Sequence, residues 1–268
     1  MLPRERVVRA GGCAIGSGAF TVIAGPCAVE SELQIMRTAE AVAHAGARIL
    51  RGGAFKPRTS PYSFQGLGRE GLRLLRKAGR ASGLPIVTEV MSDADVDLVA
   101  EYADMLQIGS RSMENYVLLE AAARAGRPIL MKRGMTATVE EYAAAAQFVM
   151  DCGNCNLILC ERGIRTFGTA TRNTCDIVAV PLLQSATGLP VIVDPSHATG
   201  RRDVIPALAC AAVAIGADGL IVEVHPEPEM ALSDGEQSLS FEQFESMMYG
   251  MDPYLRARAS LRECAAAV

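Results

Sequence analysis

The sequence predicts a (β/α)₈ barrel, and three observations carry that reading. Eight short apolar or β-branched runs recur along the 268 residues, spaced by about 20 to 40 residues as strand–helix repeats require. Helical periodicity fills the stretches between several of them. The charged and polar residues with chemistry to offer fall at the C-terminal ends of the runs, where a barrel of this class builds its site. A doubly wound open sheet is the alternative, but no GxGxxG follows the first run. No linker or composition shift divides the chain, so residues 20–268 read as one barrel domain behind an extension of residues 1–19.

The elements follow in order. Gly11-Gly12 and Gly16-Ser-Gly18 in the extension suggest a short hairpin at the bottom of the barrel. The strand runs are Phe20–Ala24, Ala47–Arg51, Pro85–Val90, Met105–Ile108, Pro128–Lys132, Leu157–Cys160, Val191–Asp194 and Gly219–Val224. They are continuously apolar, as parallel strands covered on both faces must be. Glu32–Ala45, Asp93–Tyr102, Val117–Ala125, Val139–Met150 and Val204–Ile215 carry helical periodicity. Thr138-Val-Glu-Glu141 has the spacing of a capping box.

Composition excludes several classes. Half the residues are hydrophobic and 21% are charged, which describes a folded chain. A net charge of −4 argues against non-specific nucleic-acid binding. No apolar run approaches the roughly 20 residues a membrane span needs. Met1-Leu-Pro-Arg-Glu-Arg6 lacks the apolar core of a signal peptide, so a cytoplasmic protein is expected. The eight cysteines show no disulfide spacing, and Cys152-Gly-Asn-Cys155 lacks the second pair of a four-cysteine zinc site.

Arg51-Gly-Gly-Ala-Phe-Lys-Pro-Arg-Thr-Ser60 concentrates three cations and two hydroxyls behind the second run. Arginine offers a planar fork for carboxylate and phosphate, and lysine a compact point charge. The other runs end in Gly25-Pro-Cys27, Thr88-Glu89, Gln107-Ile-Gly-Ser-Arg111, Lys132-Arg133-Gly134, Glu161-Arg162-Gly163, Asp194-Pro-Ser-His197 and Glu223-Val-His225. Arg51, Lys56, Arg58, Arg111, Lys132 and Arg162 would repel one another around an empty mouth, so they imply a ligand with several negative charges. Individual members could instead pair with Glu89, Glu161 or Asp194. Cys27, His197, Glu223 and Asp234 form a candidate site for a borderline divalent metal, Mn, Fe, Co or Zn, by their mixed sulfur, nitrogen and oxygen donors. Each has a structural alternative: packing for Cys27, phosphate donation for His197, ion pairing for Glu223, an ordinary turn for Asp234.

Five separated motifs then fix a resemblance. Ile23-Ala-Gly-Pro-Cys-Ala-Val-Glu-Ser31, Lys56-Pro-Arg-Thr-Ser60 with Tyr62-Ser-Phe-Gln-Gly66, Gln107-Ile-Gly-Ser-Arg111, Lys132-Arg-Gly134 and Asp194-Pro-Ser-His197 stand in order. Over residues 20 to 245 the chain resembles the 3-deoxy-D-arabino-heptulosonate 7-phosphate (DAHP) synthases, type I-beta branch. The resemblance implies a (β/α)₈ barrel that condenses phosphoenolpyruvate with erythrose 4-phosphate, the first step of the shikimate pathway. It implies Cys27, His197, Glu223 and Asp234 as metal ligands. Arg51, Lys56 and Lys132 would hold the phosphoenolpyruvate carboxylate, and Arg111 and Arg162 its phosphate. Pro57, Arg58, Thr59 and Ser60 would receive erythrose 4-phosphate, with Gln107 and His197 completing the substrate set.

A metal there would polarise the aldehyde oxygen, Lys56 would protonate the developing alkoxide, and Glu89 would orient the water. Lys132 also admits a Schiff-base reading, which the resemblance disfavours. The rival 3-deoxy-D-manno-octulosonate 8-phosphate synthases typically show Lys-Ala-Asn-Arg-Ser where this chain has Lys-Pro-Arg-Thr-Ser. The family also implies a homodimer or homotetramer. Only 19 residues precede the first strand run, where many relatives carry a regulatory domain or a chorismate mutase. Control by a separate partner, such as a chorismate mutase, is one expectation, and absence of feedback control the other.

Overall fold

A computed structural model describes residues 6–56 and 64–266. After a hairpin of β1 (Val8–Ala10) and β2 (Cys13–Ile15), strands and helices alternate: β3 (Thr21–Gly25), α1 (Glu32–His44), β4 (Ile49–Arg51), α2 (Arg69–Ser82), β5 (Ile86–Val90) and α3 (Val96–Tyr102). Then come β6 (Met105–Ile108), α4 (Tyr116–Arg124), β7 (Ile129–Lys132), α5 (Val139–Asp151), β8 (Leu157–Glu161) and α6 (Ala179–Thr187). The chain ends with β9 (Val191–Val193), α7 (Pro195–Thr199), α8 (Ile205–Ile215), β10 (Gly219–Glu223) and α9 (Phe241–Ala266). Strands β3 to β10 pair in parallel in sequence order, and β10 closes on β3 with Glu223 beside Gly25.

The eight expected strands are all present, seven with one shifted end or both and Met105–Ile108 as expected. Pro85 and Pro128 fall outside β5 and β7, consistent with their having no N–H to give a ladder. Asp194 leaves the seventh barrel strand and caps α7, where its carboxylate accepts from His197 N. Asp93–Asp95 opens as a 3₁₀ turn before α3. The capping box of Thr138 and Glu141 starts α5 as its spacing predicts.

Period-two alternation explains how this barrel makes a site. Ile49, Val87, Met105, Leu130, Ile158, Ile192 and Ile221 form one apolar cluster with hairpin residues Val8, Ala10, Cys13 and Ile15. Their strand neighbours, Leu50, Ile86, Leu106, Ile129, Leu157, Val191 and Leu220, belong to the larger core beneath the helices. Two residues beyond the interior set, on the same face, come Arg51, Glu89, Gln107, Lys132, Cys160, Asp194 and Glu223. The barrel is thus greasy at its base and mostly charged or polar at its mouth. The hairpin lies at the base: Gly11 abuts Pro85 and Gly16 abuts Pro190, each just before a strand. Val8 and Ile15 are fully buried, each contributing about 1.5–3 kcal/mol of apolar burial.

Candidate active site

Cys27, Glu223 and Asp234 bring one ligand atom each to within 4.8 Å of one another. Backbone geometry permits this approach. Gly25 adopts φ 152°, and a side chain there would drive into the Arg51 carbonyl, 2.0 Å from where its Cβ would stand. Asp234 sits in the left-handed region at φ 53°, which Asp tolerates better than most residues.

Cys27 Sγ donates to Asp234 Oδ2 at 3.0 Å and lies 3.1 Å from Ser233 Oγ. Lys56 Nζ donates to Cys27 Sγ at 2.9 Å and to the Cys27 carbonyl at 3.0 Å. Burial, reinforced by Glu223, pushes the Cys27 thiol up to about 12. Burial opposes ionisation of Asp234, but its bond to Cys27 and the charges of His197 and Arg172 hold its carboxyl below the usual range. Burial likewise opposes the Lys56 ammonium, yet Cys27, Glu89 and Glu223 outweigh it and raise its pKa.

His197 joins from α7. Its Nδ1 stands 2.8 Å from Asp194 Oδ2 and its Nε2 3.4 Å from Glu223 Oε1. Burial lowers the His197 pKa despite Asp194, so near neutral pH Nδ1 carries the proton to Asp194. Nε2 then turns a lone pair toward the Glu223 carboxylate. A thiol and two carboxylates within 4.8 Å, with the His197 imidazole outside that group but 3.4 Å from Glu223 Oε1, offer the mixed donors that suit a borderline divalent cation. The Asp194–His197 bond has the form of the outer-shell contacts that orient metal-bound histidines.

Two of the expected ligand cations already have carboxylate partners. Arg51 Nη1 donates to Glu223 Oε1 at 2.6 Å, and Lys132 Nζ to Asp194 Oδ2 at 2.5 Å, all four side chains buried. Arg162 and Arg111 are different. Arg162 is 4% exposed, yet its polar contact is a 3.5 Å bond to the Gly163 carbonyl and its Nε has no partner. Arg111 is exposed and has no ion pair among the described residues. Both line a cavity of about 270 Å³ together with Arg51, Lys56, Glu89, Gln107, Lys132, Arg172, His197 and Asp234.

Glu89 accepts from Gln107 Nε2 at 3.3 Å, and a Cβ at Gly109 would stand 2.1 Å from Glu89 Oε1, so a side chain there would push the carboxylate out of this position. Glu161 does not face the mouth set. Its carboxylate pairs with Arg133 at 2.8 Å, which also holds Asp176 at 2.9 Å. Pro57, Arg58, Thr59 and Ser60 lie outside the described residues. Arg172 and Gln237 escaped the sequence reading. The one available signal was their position in loops after β8 and β10, on the face where barrel sites form.

Residues 5–256 match the profile of the DAHP synthetase I family. The chain is 53% identical over 249 residues to a phospho-2-dehydro-3-deoxyheptonate aldolase of Thermotoga maritima, covering 93% of this chain and 74% of that one. The chain belongs to the DAHP synthetase I family. A crystal structure of a Thermotoga maritima DAHP synthase superposes with TM-score 0.93 at 51% identity, covering 96% of this chain and 75% of that one. A truncated form of 3-deoxy-D-arabino-heptulosonate 7-phosphate synthase from the same organism gives TM-score 0.89 at 47% identity, covering 96% and 94%. A 2-dehydro-3-deoxyphosphooctonate aldolase of Acidithiobacillus ferrooxidans is more distant, 36% identical over 85% of this chain and 87% of its own length. The higher identity to the heptonate aldolase favours the heptulosonate over the octulosonate reading. Among the described residues no helix is long and apolar enough to cross a membrane.

Proposed function

We propose that the mouth of this barrel is the catalytic centre, with the residue roles that follow. The reaction is that of a DAHP synthase: phosphoenolpyruvate, erythrose 4-phosphate and water give 3-deoxy-D-arabino-heptulosonate 7-phosphate and phosphate. The supporting observation is a polar cavity in which two arginines make no ion pair among the described residues, beside a compact set of metal donors.

Cys27, His197, Glu223 and Asp234 hold the divalent ion, Mn, Fe, Co or Zn, which supplies Lewis acidity toward a carbonyl oxygen. Arg111 and Arg162 take the phosphate of phosphoenolpyruvate, and Arg51, Lys56 and Lys132 its carboxylate. C3 of phosphoenolpyruvate forms the new bond to the aldehyde carbon, and water adds at C2. The resulting tetrahedral centre expels phosphate by C–O cleavage. Lys56, kept charged in a buried position, gives its proton to the developing alkoxide. Glu89, fixed by Gln107, orients the water. Lys132 donates to Asp194 and serves as a clamp, not as a free amine for a Schiff base. Pro57, Arg58, Thr59 and Ser60 receive the sugar phosphate, and their sequence selects the four-carbon aldehyde.

By the family resemblance we also read residues 20–268 as one catalytic domain in a cytoplasmic homodimer or homotetramer, open to control by a chorismate mutase. The deciding assay offers erythrose 4-phosphate and arabinose 5-phosphate separately with phosphoenolpyruvate. Phosphate release with the four-carbon sugar alone supports the proposal, and a preference for the five-carbon sugar overturns it.

A further inference from the structure

Gln237 is a polar side chain beside the metal donors that the reaction leaves without a role. It is 3% exposed and bonded at both ends of its amide. Nε2 donates to Glu223 Oε2 at 2.5 Å, and Oε1 accepts from Arg172 Nη1 at 2.8 Å. The orientation is forced. A guanidinium only donates and a carboxylate only accepts, so a flipped amide would fail at both contacts. The same Arg172 nitrogen reaches Asp234 Oδ1 at 3.3 Å.

Glu223 is consequently gripped at both oxygens. Oε1 meets Arg51 at 2.6 Å and His197 Nε2 at 3.4 Å, while Oε2 meets the Gln237 amide. We propose that Gln237, oriented by Arg172, is a positioning residue that presets Glu223 for the metal. This rests on reading Cys27, His197, Glu223 and Asp234 as the ligand set. A neutral donor suits the task. A lysine at this position would neutralise Glu223 and compete with the ion, and a second carboxylate would repel it. Arg172 extends the arrangement to the mouth. It lines the cavity, and its Nε and Nη2 carry no hydrogen bond among the described residues.

The test titrates metal-free protein with Co²⁺ alone. Thiolate-to-cobalt charge-transfer absorption reports binding, and a competing chelator sets the affinity. Gln237→Met keeps length and volume but removes the amide. It should weaken Co²⁺ binding about 10–100-fold, the range carried by outer-shell partners, while the metal-free protein still folds and melts cooperatively. Arg172→Met should weaken it less, and the double variant should lose less than the sum of the two, because the residues act in one chain of contacts. A folded Gln237→Met protein with wild-type affinity overturns the proposal. If that variant does not fold, Arg172→Met, altered at a partly exposed side chain, carries the test, and wild-type affinity there overturns it instead. Absence of the thiolate band in the wild type would defeat the ligand assignment itself, a separate outcome.

Discussion

The barrel mouth has two chemical flanks, interleaved around the ring because β7 lies between β6 and β8, that use the same kinds of cation in opposite states. On the flank of β4, β7, β9 and β10, Arg51 and Lys132 are buried against Glu223 and Asp194. On the flank after β6 and β8, Arg111 and Arg162 meet no carboxylate among the described residues. A charge pair 4 Å apart is worth about 4 kcal/mol at an effective dielectric of 20, so the first flank holds its shape without any ligand. The second carries a cost. A buried donor left unsatisfied, such as Arg162 Nε, costs about 1–3 kcal/mol. A fold keeps such a group when a ligand supplies the missing partner. The paired flank is therefore built geometry, and the unpaired flank suits the anion-binding role proposed for it.

The largest effect that could break this contrast lies on the built flank. Cys27→Ala removes the sulfur donor, and Co²⁺ affinity should fall by about 10³-fold or more, beyond what outer-shell contacts carry. Phosphate release from the two substrates should disappear with it. In the wild type, release should be lost on chelation and return with Mn, Co or Zn. Full activity in Cys27→Ala would remove the metal centre from this account.

The contrast predicts opposite stability effects for two cation deletions, which chemical denaturation of the metal-free protein can compare. Lys132→Met leaves Asp194 buried with one partner fewer and should destabilise by about 3–5 kcal/mol. Arg162→Met relieves an unpaired buried charge and should leave stability unchanged or raised. Its cost should appear in the KM for phosphoenolpyruvate instead, about 1.5–3 kcal/mol for a charged hydrogen bond to phosphate. Equal destabilisation by both would erase the distinction between the flanks.

The barrel was legible because its signals are local. Strand periodicity put Arg51, Lys132 and Glu223 at run ends, and Cys27 and His197 followed within a few residues of theirs. Pairing was not legible. The alternation that turns Lys132 into the barrel turns Arg133 out of it, and Glu161 follows Arg133 because both occupy the outward register beside Asp176. Glu161 could thus stand at a strand end and still neutralise none of the mouth cations. Asp234 was a weaker candidate from its donor chemistry, since Asp-Gly alone also reads as a turn, and the family resemblance strengthened it. Gln237 and Arg172 had no local signal, because the contact that joins them spans 65 positions of sequence.

The smallest effect concerns pH, and it belongs to the paired flank alone. Burial opposes the charges of Asp194 and Glu223, but His197 with Lys132 lowers the first, and His197 with Arg51 lowers the second. Carboxyls lowered on folding add stability above their unfolded value of about 4 and lose it as pH falls through the folded value. Cys27 works from the other side. Its thiol rises from 9.0 to about 12, so the folded state keeps a proton the unfolded chain gives up. That contribution is complete below 9.0 and is lost as pH climbs toward 12. Metal-free protein should therefore be most stable between about pH 4 and 9, weakening on the acid side through carboxylates and on the alkaline side through the thiol. Asp194→Asn should be less stable at neutral pH with a shallower acid limb, and Cys27→Ala should flatten the alkaline limb. Arg162→Met should move the acid limb far less than Asp194→Asn does, because Arg162 feels the Asp194 charge but makes no ion pair with it. Melting temperatures measured across the pH range check this, and an acid-limb shift in Arg162→Met as large as that in Asp194→Asn would join the two flanks into one electrostatic unit.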